Sequence, residues 1–347
     1  MSVSVLEKPA LATQTSPARR AVAADIGYGY TKAVSTSGKR ACFPSVVAPA
    51  VEDPLAGALS NGPGHRVRVR YLNGEAEEKL VGEAALRSLA AVATLSRQKP
   101  EGMHDLLVLT AAYLVGVGGA GAFPGQADLA VGLPLAYYRS QKNALAARLK
   151  TLAAWVLVDG GEERYISFNR VLVLPQGAGA VAACPELLPG EGLVGVVDVG
   201  QYTTDYLLLE VQDGRPVPVL DCCGGAEVGV HLVHRAVAAE FQAQTGAPLP
   251  VEMREGAVKA RRITFNGRTV DLFAAVERAL SDAAQAVSQR VIGAWGNRAG
   301  FVKTVILCGG GVLLLKERLE ACLPGVVVPE EPVYANAVGF LKALAGS

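Results

Sequence analysis

The sequence predicts an α/β fold made of two related halves, and three observations carry that reading. AVAADIGYGYTKAV around Asp25 and VGVVDVGQYTTDYLLL around Asp198 repeat one another about half a chain apart. Each runs apolar strand, aspartate, apolar residue, glycine, a few further residues and a second apolar strand, as a glycine-permitted turn between two strands does. Apolar runs of strand length alternate with segments of helical spacing through the rest of the chain, the mark of an α/β class. Finally, 347 residues correspond to about two domains, and one repeat at half the chain length points to two domains of related fold, whereas a solenoid would show periods of about 20 to 50 residues.

Taken in order, residues 1–20, MSVSVLEKPALATQTSPARR, mix Pro, Ser, Thr and charge without a continuous apolar core, so they read as a disordered leader and not a secretory signal. Strands follow over 22–24 and 30–35, and SGK turns the chain into a third strand ending at Phe43. Residues 44–74 are rich in Pro and Gly and contain HRVRVRY, whose alternating Arg and Val read as an edge strand with a charged outer face. GEAEEKLVGEAALRSLAAV then resumes helical spacing. The uncharged run 106–127 approaches the roughly 20 apolar residues of a membrane span. Its second half holds five glycines and a proline, so a buried helix over 106–115 followed by a loop is expected.

DLAVGLP reads as a strand, 140–152 as a helix, and 155–158 and 170–174 as strands. In the second half, strands are expected over 193–197, 204–211 and 216–220, the last two joined by a DG turn. A helix of mixed face covers 229–244, and 273–294 places Val276, Leu280, Ala284, Val287 and Val291 three or four residues apart, the spacing of an amphipathic helix. KTVILCGGG is a strand that feeds another helix, and a last helix opens near Ala335 or Asn336.

Composition limits the function. Half the residues are hydrophobic and the formal charge is +1, so no overall field draws the chain to nucleic acid or an acidic membrane. Cysteines 42, 184, 222, 223, 308 and 322 form no CxxC pair, which fits a reduced, cytoplasmic compartment. His65, His104, His231 and His234 have no nucleophile motif around them and no third ligand at metal spacing, so they read as surface or packing residues.

The chemistry rests on three glycine-bearing segments. DIGYGYTK, Asp25 to Lys32, is either an ordinary hairpin turn or a phosphate loop. In the second case Lys32 neutralises phosphate beside the turn's N–H groups, and Asp25 holds a metal-bound water, because Mg2+ keeps several waters. DVGQYTTD, Asp198 to Asp205, offers the same two readings, with Gly200 allowing close backbone approach and Thr203 and Thr204 adding hydroxyls. CGGGV, 308–312, stands between a strand and a helix, where missing side chains serve close packing or let a purine or phosphate lie on the backbone. Gln176 in PQGAGA caps a helix on spacing alone.

In this order the motifs resemble those of the actin-like ATPases, and within them the plasmid-segregation ParM and StbA group. DIGYGYTK matches the first phosphate loop, DVGQYTTD the second and LCGGG the adenosine motif, with further likeness in VGEAA (81–85), DLAVGLPLAYY (128–138) and VLVLPQGAGAV (171–181), from about Ala21 onward. The resemblance implies an actin-like, ribonuclease H-like duplicated fold with two domains around a nucleotide cleft. Domain I would cover 21–188 with an insertion at about 45–86, domain II 189–328, and 329–347 a helix returning to domain I.

The cofactors it implies are ATP, with GTP as the alternative, and Mg2+ held through water by Asp25 and Asp198. Those two aspartates and Gln176, which would orient the attacking water, are the implied catalytic residues. Nucleotide contacts would come from Gly27, Tyr28, Gly29, Tyr30, Thr31 and Lys32 in the first loop and from Gly200, Gln201, Tyr202, Thr203 and Thr204 in the second. Gly309, Gly310, Gly311 and Val312 would meet the adenosine, joined by Gly229, Lys259 and Asn336, which also suits a helix cap. The implied function is an ATPase that forms nucleotide-dependent filaments and segregates plasmid DNA through a DNA-binding adaptor. The chain itself would read no DNA sequence and bind no membrane. The alternatives are a sugar- or acetate-type kinase, which needs an Asp base where Gln176 stands, and a non-segregating cytoskeletal or divisome relative. A chaperone-type ATPase would need a peptide-binding domain for which a chain ending at Ser347 leaves no room.

Overall fold

The computed structural model describes residues 20–50, 62–72, 74–88, 90–93, 100–119 and 125–346; the expected leader and parts of the insertion lie outside them. The chain opens with an antiparallel unit, β1 (Ala21–Ile26), β2 (Tyr30–Ser35) and β3 (Arg40–Pro44), as expected from its apolar runs. The insertion supplies β4 (Val46–Pro49), β5 (His65–Tyr71), β6 (Ala76–Val81), a single helical turn α1 (Glu83–Leu86) and β7 (Val92–Ala93). Then come α2 (Glu101–Leu114), β8 (Gly125–Leu133), α3 (Leu135–Thr151), β9 (Ala153–Val158), β10 (Arg164–Pro175) and α4 (Ala178–Ala183).

Two expectations fail in the insertion. Within GEAEEKLV, AEEKLV is strand β6 and not helix: Arg68 faces Glu78 and Val69 faces Glu77 on β5 and β6, and an Arg66–Glu78 ion pair ties the two strands. Pairing with a ready-made neighbour outweighs the modest helix preference of Ala, Glu and Lys. HRVRVRY is an interior strand and not an edge, since β5 pairs with β6 on one side and β9 on the other. Its alternation still holds, with Val67 and Val69 buried and Arg66, Arg68 and Arg70 exposed. Alternation reports two faces of a strand, and says nothing of its edges. The helix expected from 140 begins at Leu135.

The second half holds β11 (Gly192–Val199), β12 (Thr204–Gln212), β13 (Arg215–Pro218) and β14 (Gly224–Ala226), then α5 (His231–Thr245) and α6 (Val251–Ala260). A small hairpin of β15 (Arg262–Phe265) and β16 (Arg268–Asp271) leads to α7 (Phe273–Trp295), β17 (Val302–Cys308), α8 (Val312–Glu320), β18 (Val326–Val327) and α9 (Ala335–Gly346). The strand expected over 216–220 stops at Pro218, and Leu220–Cys222 is a 3₁₀ turn. Among the described residues no helix is long and apolar enough to cross a membrane.

The duplication inferred from two short segments extends to whole sheets. In the first, the strand order β3-β2-β1-β8-β10 leads into the insertion strands; in the second it is β13-β12-β11-β17-β18. In both, the first three strands are antiparallel and the last three parallel. Each sheet is apolar on both faces. Val22, Ala24 and Ile26 of β1 pack with α2 while Ala23 packs with α9. Val197 and Val199 of β11 pack with α5, α7 and α8, while Val194 and Val196 pack against Ala180 of α4. A strand covered on both sides is a continuous apolar run, as both repeats are. On α7 all five residues named from the sequence are buried.

Helices α4 and α9 therefore lie between the sheets, and they cross at glycines. A Cβ on Gly339 would sit 1.8 Å from the Gly179 carbonyl oxygen, and one on Gly179 2.6 Å from Asn336 Cα. Because neither backbone can yield without moving a helix, Gly339→Ala should lower stability by about 1–3 kcal/mol, read by urea unfolding. An unchanged midpoint would show that this crossing is not tight.

Candidate functional site

Both turns are closed by the same register. Asp25 pairs with Lys32 across β1 and β2, and Asp198 pairs with Asp205 across β11 and β12. The turns face one another closely enough that a Cβ on Gly29 would lie 2.4 Å from the Gln201 Cβ. The glycine run after β17 folds onto the second turn. Gly309 adopts φ +90, open to glycine at little cost, and Gly311 N–H donates to Val199 O at 2.8 Å. The start of α5 braces the same turn, with Val230 and His231 N–H donating to the carbonyls of Gly200 and Gln201 at 3.2 and 2.8 Å. Gly229 allows this approach, since a Cβ there would meet Gly200 O at 2.7 Å.

Between the turns lies a cavity of about 340 Å³, a size suited to a small-molecule ligand. Asp25, Lys32, Gln176 and Asp198 line it, reaching in from β1, β2, the residue after β10, and β11. Gln176 Nε2 donates to Asp25 Oδ1 at 2.7 Å, and Lys32 Nζ stands 3.4 Å from Asp25 Oδ2. Asp198 Oδ2 accepts from Asn336 Nδ2 at 2.6 Å, and Asn336 Oδ1 accepts the Gly177 N–H at 3.0 Å. Asn336 thus joins the second turn, the link after β10 and the first turn of α9. Across the mouth, Tyr30 Oη donates to Glu255 Oε2 at 2.6 Å, while Glu255 Oε1 takes Lys259 Nζ at 2.6 Å. Burial and that hydrogen bond hold the Tyr30 phenol above its ordinary range.

The cavity carries an excess of negative charge. Asp25, Asp198, Asp205 and Glu255 face only Lys32 and Lys259 among its described lining residues. Burial, then the Asp25 charge, pushes the Asp198 carboxyl up to about 6, against the pull of Lys32 and Asn336. Burial, then Asp198, pushes Asp205 up to about 8 although the Leu135 N–H opposes it. Burial works against the Lys32 ammonium, but Asp25 and Asp198 outweigh it and raise its pKa. Such a set fits a divalent cation arriving from outside. No three metal-ligating side chains gather into a protein-only cage among the described residues, so the donors suit a metal that shares its shell with water and phosphate.

The structure brings most of the expected residues to this cavity: Gly27, Tyr28, Gly29 and Tyr30 of the first turn, Gly200, Gln201, Tyr202 and Thr203 of the second, and Gly310, Gly311 and Lys259. Others stand behind it. Thr31 is buried with its hydroxyl 2.9 Å from Ser45 Oγ, and Thr204 donates to Val228 O at 2.8 Å. Gly229, Gly309, Val312 and Asn336 shape or brace the walls without lining them. Sequence reasoning missed Cys42, His234, Glu255, Leu313, Leu314 and Val333, which do line it. For Glu255 a signal existed: Pro250 opens α6, and Glu255 with Lys259 is an i,i+4 pair.

Comparison with known proteins agrees with this geometry. A family model described as actin like proteins N terminal domain matches residues 23–179, and one described as archaeal actin homologue MreB-like, C-terminal, matches residues 196–321. An archaeal actin homolog of Thermoplasma acidophilum is 27% identical over 330 residues, 93% of this chain and 98% of the relative. One from Thermoplasma volcanium is 26% identical over 327 residues, 92% and 97% of the two chains. Among solved structures, a ParM of a 15-stranded filament from Clostridium botulinum superposes with TM-score 0.84 at 24% identity, covering 95% of this chain and 99% of that one. An archaeal actin homolog in complex with ADP gives TM-score 0.77 at 24% identity over 94% and 99%. At these identities the structures establish the fold.

The buried acids impose a pH dependence on the ligand-free protein. Asp198 and Asp205 hold their protons more tightly folded than at the ordinary aspartate value of 3.8. Their contribution to stability is complete below that value and is lost as pH rises through about 6 and then about 8. In chelator, urea midpoints should therefore fall between about pH 5 and about pH 8.5, and Asp205→Asn should flatten the upper part of that fall. A rising midpoint, or an unaltered slope in the variant, would contradict the assignment.

Proposed function

Since the chain belongs to the actin-like superfamily, we propose that it binds ATP with Mg2+ between its two halves, hydrolyses it, and polymerises into filaments governed by the bound nucleotide. The observation that carries this reading is the convergence of Asp25, Lys32, Gln176 and Asp198 from four strand ends on one cavity. We further propose 21–188 and 189–328 as the two halves, with 329–347 returning to the first.

Lys32 and the N–H groups of both turns would take the β- and γ-phosphates, and the backbone of Gly310 and Gly311 would meet the nucleoside end. Asp25 and Asp198 would hold Mg2+ through water, and the bound ion supplies positive charge to the phosphate oxygens. Gln176 has its amide nitrogen fixed by Asp25, which leaves its carbonyl oxygen to accept a hydrogen bond from the attacking water and so orient it. Phosphoryl transfer asks for positioning and charge more than for covalent chemistry, and a glutamine suits that task where a kinase would need a carboxylate base.

The ADP-bound archaeal relative supports an adenine nucleotide, and the filament-forming ParM relative supports self-association. Coupling between cleft and subunit contacts would then make nucleotide state control assembly. The ParM likeness also supports segregation of plasmid DNA through a DNA-binding adaptor. A second reading is a cytoskeletal filament with no plasmid cargo, motivated by the likeness to proteins named archaeal actin homolog.

Purified protein should sediment with ATP and Mg2+ and remain in the supernatant with ADP. A chain that stays monomeric at high concentration with ATP contradicts the filament reading. Gln176→Ala should slow phosphate release roughly 100-fold while leaving ATP affinity nearly unchanged. An equal loss of binding would mark Gln176 as a structural residue.

A further inference from the structure

Away from the cavity, a second recess of about 950 Å³ opens where the two halves meet. Its walls come from both: Tyr138 and Lys142 of α3 and Val181 of α4 on one side, Leu209 of β12 and Pro216 of β13 on the other. At its border Leu220 is 63% exposed, and Val217 on β13 is 53% exposed. A contiguous apolar surface left in water marks an interaction site.

β13 is the outer strand of its sheet, yet strand pairing is denied there. The Val219 N–H donates inward to Leu208 O at 2.8 Å, and because the amides of a strand alternate in direction, residues 216 and 218 face outward. Both are prolines, which carry no N–H. The recess is therefore built for side chains and not for an added strand. Its charge is one-sided as well. Arg139, exposed on α3, and Lys142 make no ion pair among the described residues, and Asp221 is the one acid in the described lining.

The complementary feature stands on the same chain. At the start of α6, Val251 and Met253 are 61% and 50% exposed. Glu252 between them is exposed and makes no ion pair among the described residues. The two features lie at opposite ends of the second half. Pro216 and Pro218 stand level with Gly192 and Val194, where β11 begins, whereas α6 carries Glu255 and Lys259 to the cavity at the other end of that strand. Surfaces so placed do not meet within one molecule, and between molecules they make a head-to-tail contact that need not close on itself.

We propose that the start of α6 of one copy docks in this recess on the next, with Val251 and Met253 on the apolar floor and Glu252 against Arg139 and Lys142. This contact rests on the filament reading above and names the surfaces that filament uses. Because the walls of the recess belong to different halves, a neighbour in the recess and a nucleotide in the cavity act on the same relation between them.

Sedimentation of the full chain with ATP and Mg2+ over a series of protein concentrations tests it, alongside calorimetric ATP binding. Glu252→Lys, and separately Arg139→Glu with Lys142→Glu, should each raise the concentration needed for assembly roughly tenfold or more, since like charges then face one another. All three changes together should restore assembly to within about threefold of wild type. Val251→Asp with Met253→Asp places acids at a helix N-terminus, which favours them, so the chain should fold but not sediment. ATP affinity should stay within about twofold in every variant, because none of these residues lines the cavity. The proposed contact falls alone if wild type sediments and the Val251→Asp/Met253→Asp chain does so equally, or if the combined charge reversal assembles no better than the separate ones. A wild-type chain that binds ATP and never sediments overturns the filament reading and this contact together.

Discussion

Two buried aspartates that share one cavity with a single buried lysine set the terms for the rest of this structure. An unpaired buried charge is costly unless it finds hydrogen bonds or an opposite charge. Asp25 has Lys32 and Gln176; Asp198 has Asn336. With Asp205 close behind, the carboxyls outnumber what Lys32 can balance; burial first, and then this crowding of carboxylates, raises the values of Asp198 and Asp205. The site is thus electrostatically incomplete in a defined direction, and a polyphosphate alone would worsen it. A polyphosphate accompanied by a divalent cation resolves it.

The fold exists to bring those aspartates together. Each sits near the end of the middle strand of the five-strand order that the two sheets repeat. They are joined through α4 and α9, which cross at Gly179 and Gly339. Asn336 on α9 contacts both Asp198 and the link carrying Gln176, so the packing layer ends inside the site. Tyr30 and Glu255 close the mouth from opposite halves. Any change in the relation of the halves must therefore alter bonds made by site residues, which is the physical requirement for coupling nucleotide state to an outer surface.

What was legible in the sequence was what local periodicity encodes. The hairpins around Asp25 and Asp198, the amphipathic face of α7 and the glycine turn after β17 were all readable from spacing. What needed the fold was everything decided by a distant partner: β6 is a strand because β5 lies beside it, and β5 is interior because it pairs with β9, far along the chain. Thr31 and Thr204 show a subtler limit. Neighbouring residues of a strand face opposite ways, so with Lys32 and Asp205 turned to the cavity, the hydroxyls of Thr31 and Thr204 turn to Ser45 and Val228. Asp205 could not be placed from sequence because its hydrogen-bond partner, Leu135, lies 70 residues away, in the other half.

In the proposed function the facing aspartates complete one metal-dependent polyphosphate site. Calorimetric titration of ATP with and without Mg2+ tests it most directly. Mg2+ should tighten ATP binding by about tenfold or more, and the double change Asp25→Asn/Asp198→Asn should abolish that dependence while leaving nucleotide binding measurable. ATP affinity indifferent to Mg2+, or a Mg2+ effect that survives loss of both carboxylates, would contradict the account.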